Sequence, residues 1–278
     1  MISTSTQLKA KVRNMSGGDS VKAQTFIRNF IMERFLERVS LSKYRDNFIL
    51  KGGMLVSSMV GLSMRATMDI DTTVRNIPLS RDDANNIVEE IAQIHVEDGV
   101  SFEITKLKDI MEEHDYPGIR VFLDARLDRL KQPIHIDIST GDKITPDAVE
   151  YAYRLMFEER TIPLWSYNLE TMLGEKIETA MARGVANTRM RDFYDIYVLT
   201  LGSEVDYPLL REAFEATSRK RETTQLIPRL KGIIRTVRED EGMSKLWHEY
   251  IEDAFFIEDI SWSDVMDRLD AVIDNMIA

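Results

Sequence analysis

Cysteine is absent from this 278-residue chain, which excludes disulfides, thiolate metal sites and cysteine nucleophiles. Histidine is scarce: His95, His114, His135 and His248 are scattered, with none of the spacing of a zinc site. No apolar run approaches the length of a membrane span, so no membrane association is expected. Residues 1–20 lack the apolar core of a secretory signal, and the expected location is the cytoplasm. The net charge of −11 argues against an indiscriminate nucleic-acid binder. What remains is a composition 44% hydrophobic and 30% charged, that of a soluble globular protein long enough for one large domain or two moderate ones.

The charge is uneven. Segment 218–238 holds Arg219, Lys220, Arg221, Arg229, Lys231, Arg235 and Arg238 against Glu222, while 239–274 is strongly acidic with Lys245 and Arg268 as its basic residues. A basic patch of that kind meets a polyanion, or it is one of two solvated helix faces that neutralise each other. The second reading is the plainer one.

Hydrophobic periodicity sets the organisation. Residues 1–20 read as a polar arm with some helix. Phe26, Ile27, Phe30, Ile31, Phe35 and Leu36 recur at helical spacing and predict an amphipathic helix over 21–39. A short apolar strand at 46–50 leads into a helix at 54–60 and a strand at 68–74. Ser80 caps the next helix, with Ala84, Ile87, Val88 and Ile91 on one face. Strands follow near 100–107, 118–125 and 133–139, with Lys131-Gln132-Pro133 read as the break of a hairpin. After about residue 145 the strand signal stops, and helices are expected at 168–183, 189–201, 207–220, 224–239, 243–256 and 261–277. Asp206, Ser244 and Ser261 are their expected N-caps. The expected architecture is α+β, an α/β-type mixed sheet in residues 1–145 followed by an all-helical domain in 146–278.

The chemistry concentrates at 51–71, KGGMLVSSMVGLSMRATMDID. In a strand at 68–74, Asp69 and Asp71 share a face and can hold a divalent metal through oxygen ligands. Asp is disfavoured in strand interiors, so two on one strand ask for an explanation. Gly52 and Gly53 close the preceding strand and open a helix whose N–H groups favour an anion. Lys51 reads as solvent-facing. Arg65 could pair with phosphate or with an aspartate, and Thr67 could tie down the strand entry.

In Ile134-His135-Ile136-Asp137-Ile138 the isoleucines take one face, and His135, Asp137 and Ser139 the other. Asp137 would complete a three-carboxylate site, as metal ligand or as acceptor of the attacking hydroxyl's proton. His135 reads as a strand-face residue without a ligand role. Farther on, Lys176 lies at the margin of the stripe Leu169, Met172, Leu173, Ile177 and Ala180, where it could neutralise a triphosphate. Arg191 and Asp195 stand at i,i+4, the spacing of a surface ion pair.

In order, Lys51-Gly52-Gly53, Arg65-x-Thr67-x-Asp69-x-Asp71, Asp137, Glu175-Lys176 with Ala180 and Arg183, and Arg191-Asp192-x-x-Asp195 resemble the AbiEii/AbiGii-type nucleotidyltransferase toxins over about residues 20–200. The resemblance implies a polymerase-β-like nucleotidyltransferase core with a helical C-terminal domain, an AbiEi-type antitoxin as partner, and a place in phage abortive infection. It implies Asp69 and Asp71 as Mg²⁺ ligands, Asp137 as a third carboxylate, Lys176 on the triphosphate of an NTP donor, and either Asp192 or Asp195 as a late site aspartate. The wider superfamily has Gly-Ser at the phosphate turn. Here Met54 follows Gly53, so backbone N–H groups would replace a hydroxyl.

Similar toxins can modify the tRNA 3′ end, with segment 218–238 then the candidate acceptor contact. A small-molecule, antibiotic-type nucleotidyltransferase with an acidic acceptor pocket from 239–274, and an inactive nucleotide- or antitoxin-binding module, are the rival expectations.

Overall fold

The computed structural model describes residues 1–61, 66–112, 116–254, 257 and 260–278, without the side chains of 111–112 and 116–117. The chain divides into two units, one of Met1–Asp142 and Val149–Ser166, the other of Lys143–Ala148 and Tyr167–Ala278. It is an α+β protein.

The first unit is built on a mixed sheet. Its strands are β1 (Phe48–Lys51), β2 (Ile70–Val74), β3 (Val100–Glu112), β4 (Tyr116–Leu127), β5 (Leu130–Thr140), β6 (Val149–Arg154) and β7 (Thr161–Ser166), in the order β3-β4-β5-β2-β1-β7-β6. β2 runs parallel to β5 and β1 parallel to β7; the other pairs are antiparallel. The strands β6 and β7 correct the expectation that none follow residue 145. Pro163 weakens the sequence signal of β7, yet it lies beyond the β1 pairing, which engages Trp165 and Ser166.

The hairpin break is also corrected. Leu127 pairs with Leu130, so the turn is Asp128-Arg129, with Asp128 at φ 51°. Lys131–Pro133 lie inside β5, opposite Asp124–Arg126, where β2 does not reach.

One face of the sheet is apolar. Ile70, Ile136 and Val121 are fully buried, and Ile134 and Ile138 nearly so. Two helices cover the sheet: α2 (Ser20–Leu41), which touches β5 and β7, and α4 (Arg81–Ala92), which touches β3 and β4. Ser80 caps α4 in a reciprocal capping box with Asp83, as its spacing predicts. The polar N-terminal stretch is no loose arm. It forms α1 (Ser5–Ser16), which docks on α2 through buried Leu8 and Val12.

α2 departs from the amphipathic expectation, because it is buried on nearly every side. Its arginines survive there by pairing. Arg38 forks onto Asp98 at 2.7 and 3.0 Å and donates to the Val100 carbonyl at 2.7 Å. Arg34 meets Glu37 at 2.9 Å and Glu158 at 3.1 Å. Glu33 accepts from the Met156 N–H and from Asn29. Burial pushes the Glu33 carboxyl up to about 8.

The second unit is helical: α5 (Leu169–Arg183), α6 (Met190–Gly202), α7 (Tyr207–Lys220), α8 (Leu230–Glu239), α9 (Glu241–Asp253) and α10 (Trp262–Ile277). Asp206 and Ser261 cap α7 and α10 as expected. Ser244 does not cap α9; that is Asp240, which accepts from the Met243 N–H at 2.9 Å. The single helix expected over 224–239 is divided, since Pro228 sits in a 3₁₀ turn that ends at Arg229 before α8 begins. Gly174 lets α5 approach α7, for a Cβ there would lie 3.0 Å from the Phe214 nitrogen. The aromatic rings of Phe193, Trp247 and Trp262 tie α6, α9 and α10 together at centroid distances of 5.2 and 5.9 Å.

Candidate active site

The strand registers place a row of charges across the polar face of the sheet. Lys51 on β1 lies opposite Asp71 on β2, Asp71 opposite Asp137 on β5, Asp137 opposite Arg120 on β4, and Arg120 opposite Lys108 on β3. Cross-strand partners point to the same face, so two adjacent aspartates are flanked by basic residues on either side. Continuing the β2–β5 register by one residue before Ile70↔Ile136 brings Asp69 beside His135.

That second row closes a group of potential metal ligands. One ligand atom each of Asp69, His135 and Asp137 lies within 4.8 Å of the others. His135 Nε2 is 3.6 Å from Asp69 Oδ2. Thr67 fixes Asp69 by donating to its carboxylate at 3.1 Å and to its carbonyl at 3.5 Å, the strand-entry role its position suggested. Two carboxylates and an imidazole form a donor set able to hold a divalent cation. His135 is thus among the potential ligands, contrary to its sequence reading.

Asp137 is engaged on both oxygens. Arg120 donates to it from Nε at 2.7 Å and from Nη2 at 2.5 Å. The Asp137 carboxylate, with Asp69 and Asp71 behind it, holds the Arg120 guanidinium above its ordinary value. Arg28 on α2 is a second guanidinium at this end of the unit, touching Met68 Sδ. Burial pushes its pKa down, and the charge of Asp69 opposes that shift. Neither arginine carries a sequence signal, because each acquires its acidic neighbour through tertiary packing.

Asp71 belongs to the glycine turn. Gly52 opens α3 (Gly52–Val60) at φ 64°, and a Cβ on it would lie 2.0 Å from Asp71 Oδ2. The first glycine is required twice over, for the left-handed backbone and for the approach of Asp71. The Gly53 N–H points to the same oxygen at 3.4 Å. Lys51 caps α3 without a side-chain hydrogen bond to it. It is not solvent-facing as expected: it is buried, and Nζ lies 2.7 Å from Asp142, which also accepts from Ser139 at 3.1 Å. Arg65 lies outside the described residues.

Within the helical unit, Lys176 on α5 bridges two aspartates of α6, Asp192 at 3.0 Å and Asp195 at 2.7 Å. Asp195 is fully buried and Asp192 nearly so, so the surface pair expected between Arg191 and Asp195 gives way to a buried triad. Both aspartates left open by the sequence therefore bind the same lysine. Beside them, Arg221 meets Glu178 at 2.5 Å and Glu175 at 4.0 Å, and Thr223 donates to Glu178 at 2.8 Å. Glu178 is 1% exposed, a buried carboxylate that no sequence pattern singled out.

The basic segment 218–238 is largely neutralised locally. Lys231 pairs with Asp270 and Asp274, Arg238 with Asp267 and Asp270, Arg219 with Glu215. Arg229 and Arg235 are exposed and have no ion-pair partner among the described residues. No described helix is long and apolar enough to cross a membrane.

A family model described as "Nucleotidyl transferase AbiEii toxin, Type IV TA system" matches residues 34–274. Among solved structures, the chain is similar to JHP933 from Helicobacter pylori, at 12% identity and TM-score 0.49, over 91% of each chain. It is also similar to an antigenic nucleotidyltransferase-like protein from Paracoccidioides brasiliensis, at 14% identity and TM-score 0.41, over 73% of this chain and 92% of that one. Comparison with curated protein sequences finds no match.

Proposed function

The chain belongs to the AbiEii family of nucleotidyl transferase toxins, and on that premise we propose that it transfers a nucleoside monophosphate from an NTP to an acceptor hydroxyl, with Asp69, Asp71 and Asp137 as the carboxylates of the reacting centre. The observation that carries this reading is the convergence of Asp69, His135 and Asp137, with Asp71, the cross-strand neighbour of Asp137, held against the Gly52-Gly53 turn. Asp69 and Asp137 would hold a divalent cation, which when bound would offset the negative charge that develops on the reacting phosphate.

The residues divide the remaining work. Thr67 holds Asp69 in place. The N-terminus of α3, uncapped by the Lys51 side chain, offers backbone N–H groups to phosphate, which suits a turn where Met54 stands in place of a serine. Arg28 and Arg120 supply positive charge within reach of the carboxylates and so limit their mutual repulsion and that of a triphosphate. Lys176 is our candidate for neutralising triphosphate charge, with Asp192 and Asp195 fixing its ammonium group. In the transfer the acceptor oxygen bonds to the α-phosphorus, the bond to the bridging oxygen breaks, pyrophosphate leaves, and the hydroxyl proton passes to a carboxylate or to water. The acceptor we propose is the 3′ end of tRNA, and the partner an AbiEi-type antitoxin that restrains the enzyme in the cytoplasm.

The test is a transfer assay in which purified protein, Mg²⁺ and total tRNA are incubated with each α-labelled NTP, beside Asp69→Ala. Label enters RNA with the wild type and falls by at least a hundredfold in Asp69→Ala, while the far-UV circular dichroism of the two proteins coincides. Full activity in the variant would sink the carboxylate assignment.

A further inference from the structure

We propose that His135 is a direct ligand of the catalytic cation, which makes the site selective for a first-row transition metal, Mn²⁺ in the first instance, over Mg²⁺. The inference rests on the transferase reading and names which metal that site takes.

Three observations lead there. His135 Nε2 faces Asp69 Oδ2 at 3.6 Å, longer than a hydrogen bond. Two ligand atoms at right angles around a cation with bonds of about 2.1 Å stand about 3.0 Å apart, and opposite ones about 4.2 Å. The Asp69–His135 separation falls between these, and the whole group closes within 4.8 Å.

Arg120 supplies the second observation. Its fork occupies both oxygens of Asp137, so that residue cannot turn both to a cation, and one oxygen at most is shared with it. The donor that makes up the loss is His135, two residues back on the same strand and the same face.

The third is the setting of the ring. Phe122, its cross-strand partner, packs against it at a centroid distance of 5.8 Å. The ring makes no hydrogen bond among the described residues, and the carboxylate it faces at 3.6 Å is that of Asp69. It is held by packing and aimed at a carboxylate.

The chemistry of the donors sets the metal. Mg²⁺ takes oxygen ligands and keeps its waters, whereas imidazole nitrogen raises affinity along the first transition row. Two carboxylate oxygens with one imidazole therefore favour Mn²⁺, and an all-carboxylate site would not.

The experiment is metal binding to the full chain without nucleotide. Calorimetric titration with Mn²⁺ and with Mg²⁺ is run on wild type, His135→Asn and Asp69→Ala, together with electron spin-echo modulation of the Mn²⁺ form. Wild type binds Mn²⁺ at least tenfold more tightly than Mg²⁺ and shows ¹⁴N coupling from a directly bound imidazole. His135→Asn loses the coupling and at least tenfold in Mn²⁺ affinity, with Mg²⁺ affinity changed less than threefold. A wild-type spectrum without ¹⁴N coupling overturns the proposal by itself, even should the variant fail to fold. If Asp69→Ala loses metal while His135→Asn keeps it, the histidine assignment fails and the transferase reading stands. If Asp69→Ala binds both metals as the wild type does, the metal centre of the transferase reading falls as well.

Discussion

At the scale of single residues, two backbone and burial facts make sharp demands. Gly52 has a left-handed backbone and leaves no room for a side-chain atom beside Asp71. An alanine there meets both penalties: about 1–2 kcal/mol for the conformation, and the displacement of the Asp71 carboxylate. Gly52→Ala should therefore lower the urea midpoint modestly and cut nucleotide transfer by tenfold or more, measured on the same preparation. Activity equal to wild type would show that the position of Asp71 is immaterial.

Glu33 makes a demand of another kind. Its carboxyl is raised from 4.5 to about 8 by burial, so the folded chain binds a proton that the unfolded chain has released over that interval. The contribution to stability is full below about 4.5, declines as pH rises, and is gone above about 8. Glu33→Gln keeps the shape without the titration. Its midpoint should exceed that of the wild type at pH 8 and approach it at pH 5, the difference growing between those values.

At the scale of elements, the helix α2 shows why pairing matters more than composition. Its Arg38 and its partner Asp98 are both within 2% of complete burial. Arg38→Met would leave Asp98 buried without its guanidinium, a loss of about 3–5 kcal/mol. Adding Asp98→Asn removes the stranded charge while keeping a side-chain oxygen for the Val100 N–H, and should recover a good part of that loss. Urea unfolding of the single and double variants checks this; equal midpoints for the two would show that the charge is not what costs stability.

The same elements show what a sequence discloses. α4, α7 and α10 were legible because a capping residue sits before a 3.6-residue repeat. The burial of α2 on all sides was not, since its charged residues look solvent-bound until Asp98, Met156 and Glu158 are folded against them. β6 and β7 escaped because they are short and Pro163 interrupts β7, although its burial alternates along the strand. The shared face of Asp71 and Asp137 is legible from strand alternation, whereas Asp69 stands just before β2, where Thr67 holds it. Arg28, Arg120, Asp142 and the place of His135 beside Asp69 depend on the register of neighbouring strands or on packing, which no local pattern encodes.

At the scale of the whole molecule, the question is how a chain of net charge −11 would engage the polyanion of the proposed acceptor. Repulsion on average requires a local exception, and the basic segment 218–238 offered one. Much of its charge is consumed within the helical unit: Lys231 and Arg238 bind the acids of α10, and Arg221 binds Glu178. Those same α10 acids are thereby spent, which weakens the rival expectation of an acidic pocket for a cationic small molecule. Arg229 and Arg235 remain exposed and without an ion pair among the described residues. If tRNA is the acceptor, they are the members of the segment best able to meet phosphate. Arg229→Ala/Arg235→Ala should then weaken tRNA binding at every sequence alike. The slope of log K against log salt should fall by about 1–2, as expected when two phosphate contacts are lost. Metal affinity in the other unit should not change. Filter binding of tRNA across a salt series measures this. An unchanged slope would remove segment 218–238 from the acceptor site, and leave the nucleotide chemistry at the carboxylates untouched.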